Sequence, residues 1–208
     1  MTYEKPAKES PNTIARLAII RLLDRHNIDY SCWGYDGSKA VDQLVEELLQ
    51  QESVLEIRGD MLVRRVDGVA VDVFAEVNGQ YYKLVEDRQE YRSDGAVRRR
   101  ELSTSLGEKM RTGEDALMVM VRALQEELGI AVDQAEFQVG DTSRVLEPSK
   151  AFPGLMIDRG LTYGVIMIGE HDFVAYGYKE VQPTKTVYFV WEPVDVGMFI
   201  TSDALKPN

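Results

Sequence analysis

Cysteine is nearly absent from this chain, and the single one, Cys32, has no partner for an internal disulfide. Histidine is scarce too: His26 and His171 stand far apart in the sequence and leave a zinc site little to draw on. No apolar run reaches the roughly 18 to 20 residues that a membrane helix needs. Positive charge is in deficit, with 24 Lys and Arg against 35 Asp and Glu in 208 residues, a formal charge of −11. A field of that sign disfavours nonspecific contact with nucleic acid or anionic lipid. A phosphate-bearing small molecule would then need a local cation, either a metal or an arginine group. Internal repeats and low-complexity runs are missing. The opening MTYEKPAKESPN mixes both charges and has the pattern of neither a signal nor a transit peptide. These absences set the expectation of a cytoplasmic protein with no membrane and no nucleic-acid partner.

What is present begins with two helical patterns. Residues 1–11 carry two prolines and mixed charges and read as a flexible tail. Asn12 or Thr13 can cap a helix running to about His26, with Ile14, Leu17, Ile20, Leu22 and Leu23 as its apolar stripe. Ser38 is placed to cap a second helix with Val41, Leu44, Val45, Leu48 and Leu49 on one face. Both faces need a partner, either a sheet or a second subunit, so a homodimer is one of two alternatives. This helical extension is taken as 12–53 and the main domain as 54–208.

From Val54 the period changes to two. VLEIRGDMLVRRV reads as two strands about Gly59-Asp60, and the second continues through Val69, Val71, Val73, Ala75 and Val77. Asn78-Gly79 signals a hairpin whose returning strand starts at Tyr81. Another turn at Asp94-Gly95 is expected to return through Ala96 to Leu102, with a loop over 103–113. Pro148, Pro153 and Gly154 mark an ordered loop, and strands follow at 161–169 and 186–191.

The stretch that stands out is GEKMRTGEDALMVMVRALQEELGI, Gly107 to Ile130. It contains Glu114, Arg122 eight residues later, Leu124, the adjacent Glu126 and Glu127, and a closing Gly129-Ile130. The tripeptide at Glu46-Glu47-Leu48 repeats the EEL of this stretch without the arginine or the glycine, so EEL alone means only a solvated helix face. The joint spacing resembles the Nudix box, and the resemblance implies an α+β fold, a Nudix-like α/β/α sandwich with a mixed sheet. Two positions depart from the pattern. Gly107 stands one residue early, so that Glu108 occupies the place of the first glycine, and Ala123 stands where the family has a glutamate.

The resemblance implies a Mg²⁺- or Mn²⁺-dependent hydrolase of a nucleoside diphosphate linked to another moiety, of the nucleotide-sugar or ADP-ribose class. Glu126 and Glu127 are then the metal ligands, sharing a helix face with position 123. Hard divalent cations take such oxygen ligands and activate water for attack on phosphorus. Arg122 resembles the arginine that holds the carboxylates together, with Glu114 as its partner across eight residues of helix. The missing carboxylate is sought outside the box, with Glu180 preferred over Glu147, Asp172 and Glu170. On this reading Ala123→Glu would raise metal affinity or turnover.

For substrate contact the candidates are Arg98 and Arg100, which share a strand face if that strand runs on, together with Lys109 and Tyr178. Each has an ordinary alternative: an edge strand carrying charge, a helix-flanking lysine, a core tyrosine. Three functions stay open here. The chain is a hydrolase of a small-molecule nucleotide, a nucleotide-binding module in which Ala123 marks lost catalysis, or an assembly module using its helices.

Overall fold

The computed structural model describes residues 11–133 and 135–195. The tail expected over 1–11 falls almost wholly outside the described residues, as do residues 196–208. The element order is α1 (Pro11–Arg25), α2 (Val41–Leu49), β1 (Val54–Arg58), β2 (Met61–Val77), β3 (Gln80–Tyr91), β4 (Val97–Arg98), β5 (Leu106–Lys109), α3 (Ala116–Leu128), β6 (Glu136–Pro148), β7 (Met156–Ile168), a 3-10 turn at Glu170–Asp172, β8 (Tyr178–Val181) and β9 (Lys185–Val194). The chain is α+β. Its main sheet runs in the order β6-β7-β2-β3-β9-β8, with β1 and β5 paired to β2 and β4 paired to β3. No described helix is long and apolar enough to cross a membrane.

Contacts divide the chain into two compact units, 1–66 with 144–160, and 67–143 with 161–208.

In the first unit, the sides of α1 and α2 close over Trp33 and Phe152. Ile19, Leu23, Val41, Leu44, Val45, Leu62 and Leu155 complete the cluster. Trp33 donates its indole N–H to the Pro153 carbonyl at 2.9 Å, so the proline-rich loop is ordered by this core. Burial of Glu47 is compensated by Arg64 and by Lys39, the latter at 2.6 Å, and the Arg64 guanidinium lies 5.0 Å over the Phe152 ring. Two capping expectations are corrected here. α1 already starts at Pro11, ahead of Asn12 and Thr13, and proline suits the first turn because it lacks the N–H that would be orphaned there. Ser38 caps nothing: its hydroxyl serves the turn before α2, donating to the Tyr35 carbonyl at 2.6 Å, and Gln43 reaches back to the Ala40 N–H instead.

The second unit holds the Gly107 to Ile130 stretch. Val69, Val71, Val73 and Ala75 alternate along β2 and present one face to Val119, Met120, Ala123, Leu124 and Leu128 of α3. Ile166 and Ile168 of β7 and Val187 and Phe189 of β9 widen the same core. α3 is bounded by local chemistry at both ends. The Asp115 carboxylate accepts from the Met118 N–H at 2.8 Å, and Gly129, with φ of 69°, closes the helix in the left-handed conformation that glycine adopts without strain.

Two expectations about the strands before α3 need correcting. The strand returning from Asp94-Gly95 is only Val97–Arg98, so Arg100 lies beyond it and does not share a strand face with Arg98. The expected loop over 103–113 contains β5, which pairs antiparallel with β2 from Gly68↔Lys109 to Val71↔Leu106. β3 pairs with β2 only from Phe74 to Val77. Ser105 stitches the place where the two long strands part, accepting from the Val73 N–H at 2.9 Å and donating to the Leu84 carbonyl.

Candidate functional site

Between β3 and β5 the second unit forms a cavity of about 230 Å³. Its walls come from β3 (Glu86, Gln89), β5 with the residues before it (Arg100, Ser105, Glu108), α3 (Glu127), β8 (Glu180), the turn after β8 (Gln182) and β9 (Lys185, Val187, Phe189). The cavity is strongly polar. Four carboxylates meet two cationic groups there, with few apolar atoms between them.

The helix stretch contributes unequally. Glu127 is mostly buried, and its Oε1 is a buried atom with no hydrogen-bond partner. Burial, and then the charges of Glu180, Glu108, Glu86 and Glu126, push its pKa from the usual carboxylate range up to about 8. Glu126 is exposed at the helix end and does not line the cavity. Ala123 is 1% exposed and belongs to the apolar core. Helical spacing puts 123, 126 and 127 within one broad arc, but packing splits that arc into core, solvent and cavity. The expectation that a carboxylate at 123 would join the other two is therefore corrected: that side chain would enter the core.

Arg122 gathers the approach to α3. Its Nη1 donates to Glu108 at 3.0 Å, and its Nη2 donates to Glu114 at 3.0 Å and to the Lys109 carbonyl at 2.9 Å. Glu114 also accepts from the Arg111 N–H at 2.7 Å. The expectation that Glu114 and Arg122 are separated by eight residues of helix is corrected, because α3 begins only at Ala116. Glu114 lies in the preceding loop, which folds back alongside the helix.

Glu180 reaches the cavity from β8, a strand whose place depends on pairing with β9 from Tyr178↔Phe189 to Val181↔Thr186. Gln182 donates to it at 2.6 Å. Burial raises its pKa, opposed by that hydrogen bond and by Lys185. The other acidic candidates stand elsewhere. Glu147 pairs with Arg159 at 3.0 Å, and neither it, Glu170 nor Asp172 lines the cavity.

Of the substrate candidates, Arg100 alone lines the cavity. Arg98 is exposed on β4. Lys109 offers its backbone carbonyl to Arg122. Tyr178 packs on the core beside Trp191, with ring centroids 6.0 Å apart, and donates its hydroxyl to the Asp172 carbonyl. Sequence reasoning missed Glu86, Gln89, Glu108, Gln182 and Lys185. Only Glu108 carried a signal, as a carboxylate in the place where the box pattern has its first glycine.

Every anionic donor in the cavity is a carboxylate oxygen, which suits a hard divalent cation such as Mg²⁺ or Mn²⁺. Among the described residues no three Asp, Glu, His or Cys side chains stand close enough to form a ready-made cation site. A cation would therefore rest on Glu127, whose orphaned oxygen calls for a partner, and complete its shell with water or ligand oxygens. Mg²⁺ commonly keeps several waters in this way.

No family model matches the chain, and no curated protein matches it. Solved structures do resemble it. A C. elegans Ap4A hydrolase aligns at 13% identity over 64% of this chain and 83% of its own, with a TM-score of 0.36. The NUDIX domain of Shewanella oneidensis NrtR, complexed with ADP ribose, aligns at 13% identity over 65% of this chain and 76% of its own, with a TM-score of 0.35. T. brucei MERS1, in a complex with GDP, aligns at 17% identity over 78% of this chain and 53% of its own, with a TM-score of 0.38. MERS1 also aligns as an RNA complex, at 17% identity and a TM-score of 0.36. These are likenesses of fold to Nudix and nucleotide-binding structures, too slight to carry an activity or a ligand over to this chain.

Proposed function

We propose that this chain is a Mg²⁺- or Mn²⁺-dependent hydrolase of a phosphoanhydride, acting on a nucleoside diphosphate linked to another moiety, of the nucleotide-sugar or ADP-ribose class. The observation that carries the reading is the orphaned, buried carboxylate oxygen of Glu127 in a cavity shared with Glu180, Arg100 and Lys185. An unpaired buried carboxylate is costly, and a cation or a proton relieves it.

Glu127 would hold the cation, with water and ligand oxygens completing the shell, while Glu126, exposed outside the cavity, takes no part. When bound, such an ion neutralises the diphosphate and lowers the pKa of water. Glu180, on β8 in the same cavity, would accept the proton from the attacking water, and its burial, which raises its pKa, makes it more basic than an exposed carboxylate. Arg122 acts at one remove. By tying Glu108 and Glu114 to α3, it holds the β5 wall against the helix end that carries Glu127. Arg98, Lys109 and Tyr178 stand outside the lining and take no part at the reacting atoms in this reading.

One observation favours a second reading. Ala123 sits in the core and leaves the third carboxylate of the box without a place, as expected of a nucleotide-binding module that no longer hydrolyses. A panel of ADP-ribose, nucleotide sugars and dinucleoside polyphosphates with Mg²⁺ or Mn²⁺ separates the two. Turnover that disappears in Glu127→Gln and in Glu180→Gln is the expected result. Binding without turnover in the wild-type protein would select the module, and neither binding nor turnover would overturn both.

A further inference from the structure

β6 is the outermost strand on one side of the main sheet, and among the described residues β7 is its one neighbouring strand. Its other edge presents N–H and C=O groups without a strand partner along thirteen residues, Glu136–Pro148. Strands in that position are commonly kept from pairing by lysine, by proline or by being short. β6 has no lysine, and its only proline is its last residue. The six successive residues 141–146 are exposed, and Val139 and Val145 keep 45% and 46% of their surface in water.

The order of residues along β6 limits what can pair there. When two copies of one strand join antiparallel about a two-fold axis, one residue stands opposite itself and the residues to either side pair in reverse order. With Thr142 at the centre, Asp141 meets Ser143 of the second copy, a carboxylate against a hydroxyl donor, and Val139 meets Val145 of the second copy. Both contacts occur twice, and all four residues share one strand face. On the opposite face Gly140, which has no side chain, stands against Arg144 of the second copy and leaves it room to keep its 2.9 Å ion pair with Asp158. Neighbouring registers lack this match. Asp141 or Arg144 at the centre would set like charges against each other, and Gly140 or Ser143 at the centre would set Asp141 against a valine. From 139 to 145 the ladder would add about seven inter-strand hydrogen bonds, one for each residue pair.

We propose that the free edge of β6 is an interface between two copies of this chain, joined antiparallel with Thr142 at the centre. Backbone hydrogen bonds continue the sheet from one copy into the next, and the paired valines cover apolar surface that a single chain leaves in water. This inference is independent of the hydrolase reading, because none of these residues lines the cavity that holds Glu127.

The test uses the full chain at physiological salt, where repulsion between two copies of formal charge −11 is screened beyond about 8 Å. Sedimentation velocity should show a species of twice the chain mass. Val145→Lys and Val139→Lys, both at exposed positions, should each weaken association about tenfold or more while leaving a folded monomer. A disulfide reads the register directly. With exposed Cys32 removed as Cys32→Ser, Thr142→Cys should join two chains on oxidation, because residues directly opposite in an antiparallel pair have Cα atoms about 4.5–5.5 Å apart. Val139→Cys should stay unlinked, since six residues of strand would hold its two copies about 20 Å apart. A monomeric wild-type protein would leave the edge to a segment of another protein and overturn the proposal. A dimer that withstands both lysine variants, or one in which Val139→Cys links as readily as Thr142→Cys, would overturn it as well.

Discussion

Arg122 donates to Glu114 across 3.0 Å, although eight residues separate them and only the arginine lies on the helix. The same guanidinium holds Glu108 and the Lys109 carbonyl, so one side chain fastens the β5 strand and the loop before α3 to the helix. A lysine has no planar fork and cannot hold three acceptors in that geometry.

Arg122→Lys should therefore destabilise the protein by about 1–3 kcal/mol, the cost of losing charge-assisted hydrogen bonds at a largely buried site. Arg122→Ala, which leaves two carboxylates unpaired, should cost more. Denaturant unfolding of both variants would check this, and equal stability of the lysine variant would show that the fork is dispensable.

Glu127 makes stability depend on pH in a defined direction. Its folded pKa, about 8, lies above its ordinary value, so the folded state holds the proton more tightly than the unfolded chain. That contribution is full below about pH 4.5 and is lost as pH rises through about 8. Without divalent cations, Glu127→Gln should match the wild-type protein near pH 5 and exceed it by an amount on the order of a few kcal/mol near pH 8.5. Unfolding in EDTA at several pH values gives the difference profile. Parallel curves for the two proteins would sink the assignment.

Ala123→Glu should not raise metal affinity. Position 123 packs among Val119, Leu124 and the β2 valines, and a carboxylate forced there should cost about 3 kcal/mol or more. The measurement pairs Mn²⁺ binding with thermal unfolding. Tighter Mn²⁺ binding in a folded variant would mean that the helix can turn the new side chain toward the cavity.

Gly177→Ala should be among the least tolerated substitutions in the second unit. A Cβ there would stand 1.8 Å from the Phe189 carbonyl oxygen, and the residue has φ of 77°. The turn before β8 would have to move away from β9, carrying Glu180 with it. We expect a loss of about 3 kcal/mol or more, together with weakened cation binding, which unfolding and Mn²⁺ titration would measure.

Much of the local architecture could be read from the residues. The hairpins at Gly59-Asp60 and Asn78-Gly79 form because these residues accept positive φ, and Asn78 and Gly79 both have it, at 52° and 78°. The alternation in β2 survives as the core face of the second unit. β5 escaped notice because LGEK is four residues long and has no alternation to detect. Arg100 was placed on a strand because nothing in a run of three arginines marks where pairing stops.

The amino-acid order by itself determined the turns, the glycine stop at the end of α3, the acidic balance and the spacing of Glu114, Arg122, Glu126 and Glu127, because each depends on backbone preferences or charges acting within a few residues. Only the tertiary structure decided which carboxylates matter together. Glu127 faces Glu86, Glu108 and Glu180 because β3, β5, β8 and α3 are brought to one opening by pairings between distant segments. Burial then raises the pKa of Glu127 and leaves Glu126, its neighbour in the chain, in water.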